Sequence, residues 1–288
     1  MNISVKAYAK INLFLDVTTQ RDDGYHDILS LMQTVSLHDI VTVEYKPSAD
    51  KKIEIACNVP NIPCDSKNLA YKAADLMLES GYVKIEINKS IPSEAGLAGG
   101  SADAAATFVA LNKLLGDKYS TDELKSLGKK LGADIPFCIE GGSCIVEGIG
   151  DIMTQCAPMP DYPIVIARMG EGMSTPLAYR KLDEAFNNFK EYSPKCEKLD
   201  LLLDTSNKSD IDTYCRGLFN VFECVVEPER PCVTQIKSIM LDHGAKGALM
   251  SGSGTSVFGI FDNEASAKSA YDALKNIGAI SHICYPEN

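Results

Sequence analysis

The sequence predicts an α+β chain of two domains, and three observations lead to this prediction. The 288 residues are enough to build two hydrophobic cores. Alternating strand patterns and helical patterns occur together in both halves of the chain. Pro158, Pro160 and Pro163 interrupt these patterns and mark a change in composition. We therefore predict one domain at residues 1–157 and a second at residues 158–288.

The first predicted element is a strand from Val5 to Val17. Apolar residues recur at every second position along it, which is typical of a strand with one buried face. This period places Lys10 and Asn12 on one face, about 7 Å apart along the strand. The pattern alone is compatible with either a solvated lysine or a functional one.

Two further strands are predicted at Ile40–Tyr45 and Lys52–Cys57, since residues of opposite polarity alternate in both. The turn-forming residues Pro47–Asp50 between them indicate a hairpin. Asn68 is a typical N-cap residue for the helix that follows, which we expect to end at Gly81.

The glycine loop, Pro92–Ala102, lies between a predicted strand and a helix that begins after Ser101. Its residues Gly96, Gly99 and Gly100 allow the backbone to approach a ligand closely. The free N–H groups and positive dipole end of the following helix favour an anion at the same place. A tight strand-to-helix turn without a ligand is the alternative.

Two common phosphate motifs are excluded for the glycine loop. The run Gly99-Gly100-Ser101-Ala102 contains no lysine, so it is not a Walker A motif. The positions of its glycines also break the dinucleotide-binding spacing. A phosphate loop that uses backbone N–H groups, a helix end and the Ser101 hydroxyl remains possible.

Two more positions are candidates for chemistry. Asp134 stands among apolar residues before Pro136, just after a helix that Ser120 and Glu123 open with a predicted capping box. Its carboxylate is either a helix cap or an acid placed for catalysis. The pair Tyr25-His26 ends a predicted turn, and it is either a packed corner or a contact to a planar ligand.

The second domain shows the order strand, helix, helix, strand, helix, strand after residue 163. This order predicts a ferredoxin-like α+β domain. Two of its strands flank a second glycine cluster, Ser251–Ser256.

Composition narrows the possible partners. The net charge is −11 and the chain has no run of basic residues, which argues against nucleic acid or an anionic membrane as a partner. No apolar run reaches the roughly 18 residues that span a membrane. No signal-peptide pattern opens the chain, so we expect a cytoplasmic protein with its ten cysteines as reduced core residues.

Taken together, these motifs resemble the GHMP kinases, a superfamily of small-molecule ATP kinases. The resemblance covers nearly the whole chain, from Lys6 to about Phe261. Six segments carry it in order: Ala7–Leu13, Asp23–His26, Asn68–Ala70, Gly96–Ala105, Gly132–Phe137 and Met250–Gly254. It implies an N-terminal S5-like α/β domain that binds ATP, followed by the ferredoxin-like domain.

The resemblance also implies the site residues. The catalytic pair would be Lys10 and Asp134. Contacts to ATP would come from Asn68, Leu69 and the whole glycine loop: Pro92, Ser93, Glu94, Ala95, Gly96, Leu97, Ala98, Gly99, Gly100, Ser101 and Ala102. Contacts to a cytidylyl substrate would come from Asn12, Tyr25, His26, Thr175 and Tyr179.

The implied reaction is ATP-dependent phosphorylation of the 2-hydroxyl group of 4-diphosphocytidyl-2-C-methyl-D-erythritol, in the non-mevalonate isoprenoid pathway. Mg²⁺ would bridge the ATP phosphates, and the sequence assigns no protein ligand to it. Glu94 departs from the pattern, because a carboxylate in a phosphate loop must point away from the phosphates or weaken ATP binding. A kinase of mevalonate-like acids or sugars and a catalytically silent nucleotide-binding protein are the alternatives.

Overall fold

The computed structural model describes residues 1–189, 192–204 and 209–288. Up to residue 157 the strands and helices are β1 (Asn2–Gln20), β2 (His26–Lys46), β3 (Lys51–Cys57), α1 (Leu69–Met77), β4 (Gly81–Asn88), α2 (Gly99–Leu114), α3 (Thr121–Lys129), α4 (Ile135–Glu140), β5 (Ser143–Gly148) and β6 (Ile152–Gln155).

The elements after residue 157 are six helices and five strands among the described residues. They are β7 (Ile164–Arg168), α5 (Thr175–Ala185), α6 (Cys196–Leu203), α7 (Ile211–Arg216), β8 (Phe219–Asn220), α8 (Glu223–Val226), α9 (Pro231–Asp242), β9 (Gly247–Met250), β10 (Val257–Ile260), α10 (Glu264–Asn276) and β11 (Ile280–Cys284).

The chain divides into two compact units, and neither unit is continuous in sequence. The first unit holds Met1–Ala9, Leu37–Ser93 and Ala98–Gly141. The second unit holds Lys10–Ser36, Glu94–Leu97 and Gly142–Asn288. Strands β1 and β2 therefore supply residues to both units, and a domain boundary between residues 157 and 158 stays a prediction.

In the first unit the strand order is β3-β4-β2, so the predicted hairpin between β2 and β3 is wrong. Strand β4 lies between them and pairs antiparallel with β2 and parallel with β3. The physical reason is burial, because β4 buries Val83, Ile85 and Ile87 whereas no residue of β3 is buried. The more apolar strand takes the central position.

Two helix starts of the first unit follow the sequence, whereas α2 begins at Gly99, before the start that was expected after Ser101. Asn68 caps α1 by accepting a hydrogen bond from the backbone N–H of Ala70 at 2.9 Å. Ser120 and Glu123 form the predicted capping box at the start of α3. Helix α1 ends at Met77, before the expected Gly81. Gly81 begins β4 at a φ of +115°, where an added Cβ would lie 2.7 Å from the ring of Tyr45.

In the second unit β11, β7, β10 and β9 form an antiparallel sheet in that order. Numbered along the chain, this is the order 4-1-3-2 of a ferredoxin-like sheet. Helices α9 and α10 cover the sheet with apolar residues three and four positions apart. Their buried core residues are Val233, Ile236, Met240, Ala267, Ala270 and Leu274.

The ten cysteines differ in their burial. Cys144, Cys215 and Cys284 are buried, as expected of core residues. The expectation is wrong for the three that are exposed, which are Cys64, Cys196 and Cys224.

Candidate active site

The predicted site residues belong to both units. The second unit contains Lys10, Asn12, Tyr25, His26, Glu94–Leu97, Thr175 and Tyr179. The first unit contains Asn68, Leu69, Pro92, Ser93, Ala98–Ala102 and Asp134.

In the second unit Lys10 and Asn12 form one hydrogen-bonded group on β1. Their side chains are only 4% and 1% exposed, and Lys10 Nζ donates to Asn12 Oδ1 at 2.6 Å. Asn12 Nδ2 in turn donates to the Ser30 hydroxyl at 2.9 Å. The shared face predicted from the strand period is therefore present, and the solvated-lysine alternative is wrong.

The ammonium group of Lys10 has no carboxylate partner among the described residues of the second unit. A buried ammonium that bonds only to a neutral amide is unfavourable, because burial removes the water that stabilises its charge. The position therefore suits an anion that arrives with a ligand.

Ser251 connects this group to the glycine loop. Its hydroxyl accepts a hydrogen bond from the Asn12 backbone N–H at 3.3 Å and donates to the Gly96 carbonyl at 3.0 Å. The Leu97 carbonyl accepts from the Lys10 N–H at 3.2 Å, and the Ala95 carbonyl accepts from the Ser256 N–H at 3.2 Å. Three successive loop carbonyls are thus held by β1 and the second glycine cluster.

Gly96 has no room for a side chain. Its φ is +74°, and an added Cβ would lie 2.0 Å from the Ser251 carbonyl oxygen. Gly252 approaches from the other side, with its own Cβ position 3.0 Å from Gly96 Cα. Both glycines are required by the close contact of two backbones.

Asn220 fixes two backbone carbonyl groups at the second glycine cluster. Its Nδ2 donates to the carbonyls of Met250 and Gly252 at 2.6 and 2.8 Å. Glu223 accepts from the Met250 N–H at 2.9 Å, and burial raises the pKa of this carboxyl while Lys237 opposes the rise. The roles of Ser251, Asn220 and Glu223 in holding the loop depend on contacts between distant segments, which no local sequence pattern reveals.

In the first unit the glycine loop leads into α2 through Ala98, which adopts the left-handed φ of +57°. No described side chain caps the helix at this end. The first backbone N–H groups of α2 are therefore open to an anion, as the sequence predicts. Gly100 lies beside Leu69, since a Cβ on this glycine would be 3.8 Å from Leu69 Cδ1.

A buried ion cluster lies beneath the start of α2. Lys89 Nζ donates to Asp39 and, at 2.8 Å, to Asp103, and a Cβ on Gly99 would be 3.1 Å from Lys89 Nζ. Asp103 Oδ1 has no hydrogen-bond partner among the described residues. Burial raises the pKa of Asp103 to about 7, although the Lys89 ammonium opposes the rise.

Asp134 precedes α4 and is half-buried. Its side chain makes no capping hydrogen bond to the described residues of the helix. The carboxylate therefore does not cap α4, and it is available to accept a proton or a hydrogen bond. Asn68 differs, because its side chain is occupied by Ala70 N–H and by the Pro63 carbonyl at 2.8 Å.

Glu94 is exposed and adopts a φ of +51°. Its backbone carbonyl packs against Gly172, where an added Cβ would lie 2.8 Å away. Among the described residues its carboxylate forms no ion pair.

The predicted pyrimidine contacts form a partly assembled group in the second unit. The His26 imidazole stacks on Tyr179 with ring centroids 4.7 Å apart, and Thr175 shares a hydrogen bond of 2.8 Å with Ser253.

Tyr25 is 62% exposed, and its N–H donates to Asp23. His26 also bonds to Asp183, which is not among the predicted site residues although it lies one helical turn after Tyr179.

Two further findings concern metal-binding clusters and membrane-spanning helices among the described residues. Among the described residues, no group of three or more metal-binding side chains could hold a metal ion. No helix in the described ranges is both long and apolar enough to cross a membrane.

Comparisons with known proteins identify the family and the relatives of this chain. Residues 68–142 match the family described as GHMP kinases N terminal domain, and residues 201–280 match GHMP kinases C terminal. A relative from Caldicellulosiruptor saccharolyticus, named 4-diphosphocytidyl-2-C-methyl-D-erythritol kinase, is 44% identical over 94% of this chain and 92% of its own. A relative of the same name from Acetivibrio thermocellus is 42% identical over 96% of this chain and 95% of its own.

A solved crystal structure gives the same picture for the fold. The structure of 4-(cytidine 5'-diphospho)-2C-methyl-D-erythritol kinase superposes with a TM-score of 0.82 and 30% identity, and it covers 99% of this chain and 100% of that chain. The predicted α+β fold with its two kinase domains is confirmed. This chain belongs to the GHMP kinase family.

Proposed function

We propose that this chain transfers the γ-phosphoryl group of ATP to the 2-hydroxyl group of 4-diphosphocytidyl-2-C-methyl-D-erythritol. The observation that carries the proposal is the buried Lys10–Asn12 pair, whose ammonium lacks a carboxylate partner in its unit. The relatives that share nearly the whole chain carry the name of this kinase, which supports the substrate assignment.

In the proposed reaction the substrate oxygen attacks the γ-phosphorus while the bond to the β-phosphate oxygen breaks. Asp134 accepts the proton of the hydroxyl group, and ADP leaves with the electron pair of the broken bond. Lys10 stabilises the negative charge that develops on the transferring group. The roles of both residues follow from the family motifs, and the uncapped carboxylate of Asp134 supports its part.

The glycine loop would bind the ATP phosphates through backbone N–H groups. Support comes from the open N-terminus of α2 and from the carbonyls at 95, 96 and 97, which are fixed by other groups. A fixed loop loses little conformational entropy when the nucleotide binds. Asn68 would contribute its backbone, since its side chain is occupied.

Mg²⁺ is part of the proposal and would neutralise charge on the ATP phosphates. Mg²⁺ usually keeps several waters and binds through substrate phosphates with one or two carboxylates. In the proposal Mg²⁺ arrives with ATP, and we assign it no protein ligand.

Asp134→Asn tests the proposed reaction. The amide keeps the shape of the side chain but cannot take a proton, so we expect kcat to fall at least about 100-fold. The melting temperature should not change, because the carboxylate makes no capping bond. ADP release with the cytidylyl substrate gives the rate, and Asp161→Asn at an exposed position is the control.

Substrate specificity is tested in the same assay. Wild-type enzyme should release ADP with the cytidylyl substrate and not with mevalonate. Full turnover by Asp134→Asn would contradict the proposed base, and turnover of mevalonate alone would contradict the proposed substrate.

A further inference from the structure

The imidazole ring of His26 is held from three directions by residues of the second unit. Asp183 Oδ1 lies 2.6 Å from His26 Nε2. The ring of Tyr179 stacks on one face, and Phe189 contacts the ring edge-on with centroids 5.8 Å apart. The His26 side chain is only 8% exposed, so its orientation is fixed before a ligand binds.

Asp183 determines which nitrogen of this ring carries the proton. An ionised carboxylate can only accept hydrogen bonds. Its second oxygen already accepts from Gln20 Nε2 at 3.3 Å, which holds the carboxylate in place. Nε2 of His26 is therefore the protonated nitrogen, and in the neutral ring Nδ1 keeps its lone pair. Nδ1 has no hydrogen-bond partner among the described residues.

We infer that Asp183 is a positioning residue that keeps Nδ1 of His26 as a hydrogen-bond acceptor for the 4-amino group of cytosine. The inference rests on the proposed function, which supplies the cytidylyl substrate. Cytosine carries an amino donor at position 4, and uracil carries an oxygen acceptor there. An acceptor fixed opposite this position pairs with cytosine and repels uracil, which gives discrimination between the two pyrimidines.

The Asp183–His26 bond also joins α5 to the first residue of β2, so a purely structural role must be distinguished. Two readouts separate the roles. Discrimination between cytidylyl and uridylyl substrates depends on the Nδ1 lone pair, whereas simple loosening of the fold affects both substrates alike. The ¹⁵N chemical shifts of the ring report the tautomer directly.

The test uses Asp183→Asn, with Glu184→Ala at the exposed neighbouring position as the control. An Asn amide can either donate to or accept from Nε2, so the tautomer is no longer fixed. We expect KM for the cytidylyl substrate to rise about tenfold with KM for ATP unchanged. The preference over the uridylyl analogue should fall by a similar factor, and Glu184→Ala should match the wild type in all three.

In the ¹⁵N spectrum, wild-type His26 should show the Nε2–H tautomer, and Asp183→Asn should show a mixture. The signal is assigned by its loss in His26→Ala. In the His26→Ala background, Asp183→Asn should have no further effect on the cytidylyl KM, since the two residues act as one unit.

The outcomes separate the inference from the proposed function. If wild-type enzyme does not turn over the cytidylyl substrate, the proposed function is wrong. If it does, but Asp183→Asn keeps the wild-type KM and pyrimidine preference, the inference is wrong. An Nδ1–H tautomer or an imidazolium in the wild-type spectrum would overturn it even if Asp183→Asn failed to fold.

Discussion

Lys10 carries a positive charge where water reaches only 4% of its surface. Its bond to Asn12 does not replace the water lost on burial, because a neutral amide compensates an ammonium only partly. Folding therefore bears a cost that a hydrophobic side chain would avoid. We expect a buried charge of this kind only where a function needs it. Removal of the charge should therefore lower the activity of the enzyme without lowering its stability.

Lys10→Met tests the two opposite effects of this charge on activity and on stability. The rate of ADP release should fall about 100- to 1,000-fold, because the proposed reaction uses this charge to stabilise the transition state. The free energy of unfolding in urea should stay unchanged or rise by roughly 1–2 kcal/mol, as Asn12 Oδ1 loses a donor but the buried charge disappears.

Lys72→Met is the matched control, since this lysine is exposed on α1. It should change neither quantity. A variant Lys10→Met that unfolds more easily than wild type by several kcal/mol would show that the ammonium is mainly structural, and the argument for an incoming anion would then fail.

At the scale of single residues, the sequence predicts which residues of one strand share a face. It predicts less well which residues that are far apart in the chain contact each other. Lys10 and Asn12 are two residues apart on one strand, so the strand period alone places them together. Ser251 lies 239 positions from Asn12, and Asp183 lies 157 positions from His26. Contacts over such separations depend on the packing of the whole unit, which no local pattern contains.

Among the elements, the glycine loop is the one most constrained by others. Its three central carbonyls accept hydrogen bonds from β1 and from the Ser251–Ser256 cluster. Gly96 lets the two backbones come within contact, and any side chain there would collide with the Ser251 carbonyl oxygen. The loop geometry therefore depends on the absence of one Cβ atom.

Gly96→Ala should displace the loop. With the added Cβ 2.0 Å from a backbone oxygen, either the loop or the Ser251 segment must move. We expect a loss of about 2–4 kcal/mol in unfolding free energy. We also expect at least a tenfold rise in KM for ATP, because the loop N–H groups that we propose to bind the phosphates would be displaced.

Gly116→Ala provides the control for backbone strain alone. Gly116 has a similar φ of +83° but open space where the Cβ would lie. Gly116→Ala should lose only about 1–2 kcal/mol of unfolding free energy, which is the cost of the left-handed backbone conformation for alanine. It should keep the wild-type KM for ATP. Equal effects of the two substitutions in both assays would mean that the contact with Ser251 is unimportant.

Element starts and strand periods were predictable, whereas strand neighbours were not. The caps at Asn68 and Ser120 were correct because capping uses only residues next to the helix end. The hairpin between β2 and β3 was wrong because β4, more than twenty positions further on, is the more deeply buried strand. Competition between distant segments for the sheet centre cannot be seen in a short window.

At the scale of the whole molecule, buried carboxyl groups set the response to pH. Burial is the largest cause that raises the pKa of Asp16, Asp103 and Glu223 above the ordinary value. Asp103 reaches about 7, from 3.8 in an unfolded chain. Between these values the folded protein holds a proton that the unfolded chain has released. The free energy of unfolding must therefore fall as pH rises through this window and level off above it.

Asp103→Asn tests the sign and the source of this dependence. Wild-type protein should lose roughly 1–3 kcal/mol of unfolding free energy between about pH 5 and pH 7. The Asn amide resembles the protonated carboxyl group and cannot ionise, so the variant should show a much shallower fall, with Asp16 and Glu223 supplying the remainder. Urea unfolding at several pH values measures both slopes, and Asp161→Asn should retain the wild-type slope. If Asp103→Asn kept the wild-type slope, Asp103 would not be the source of the fall, and it would instead be ionised beside Lys89 throughout this range.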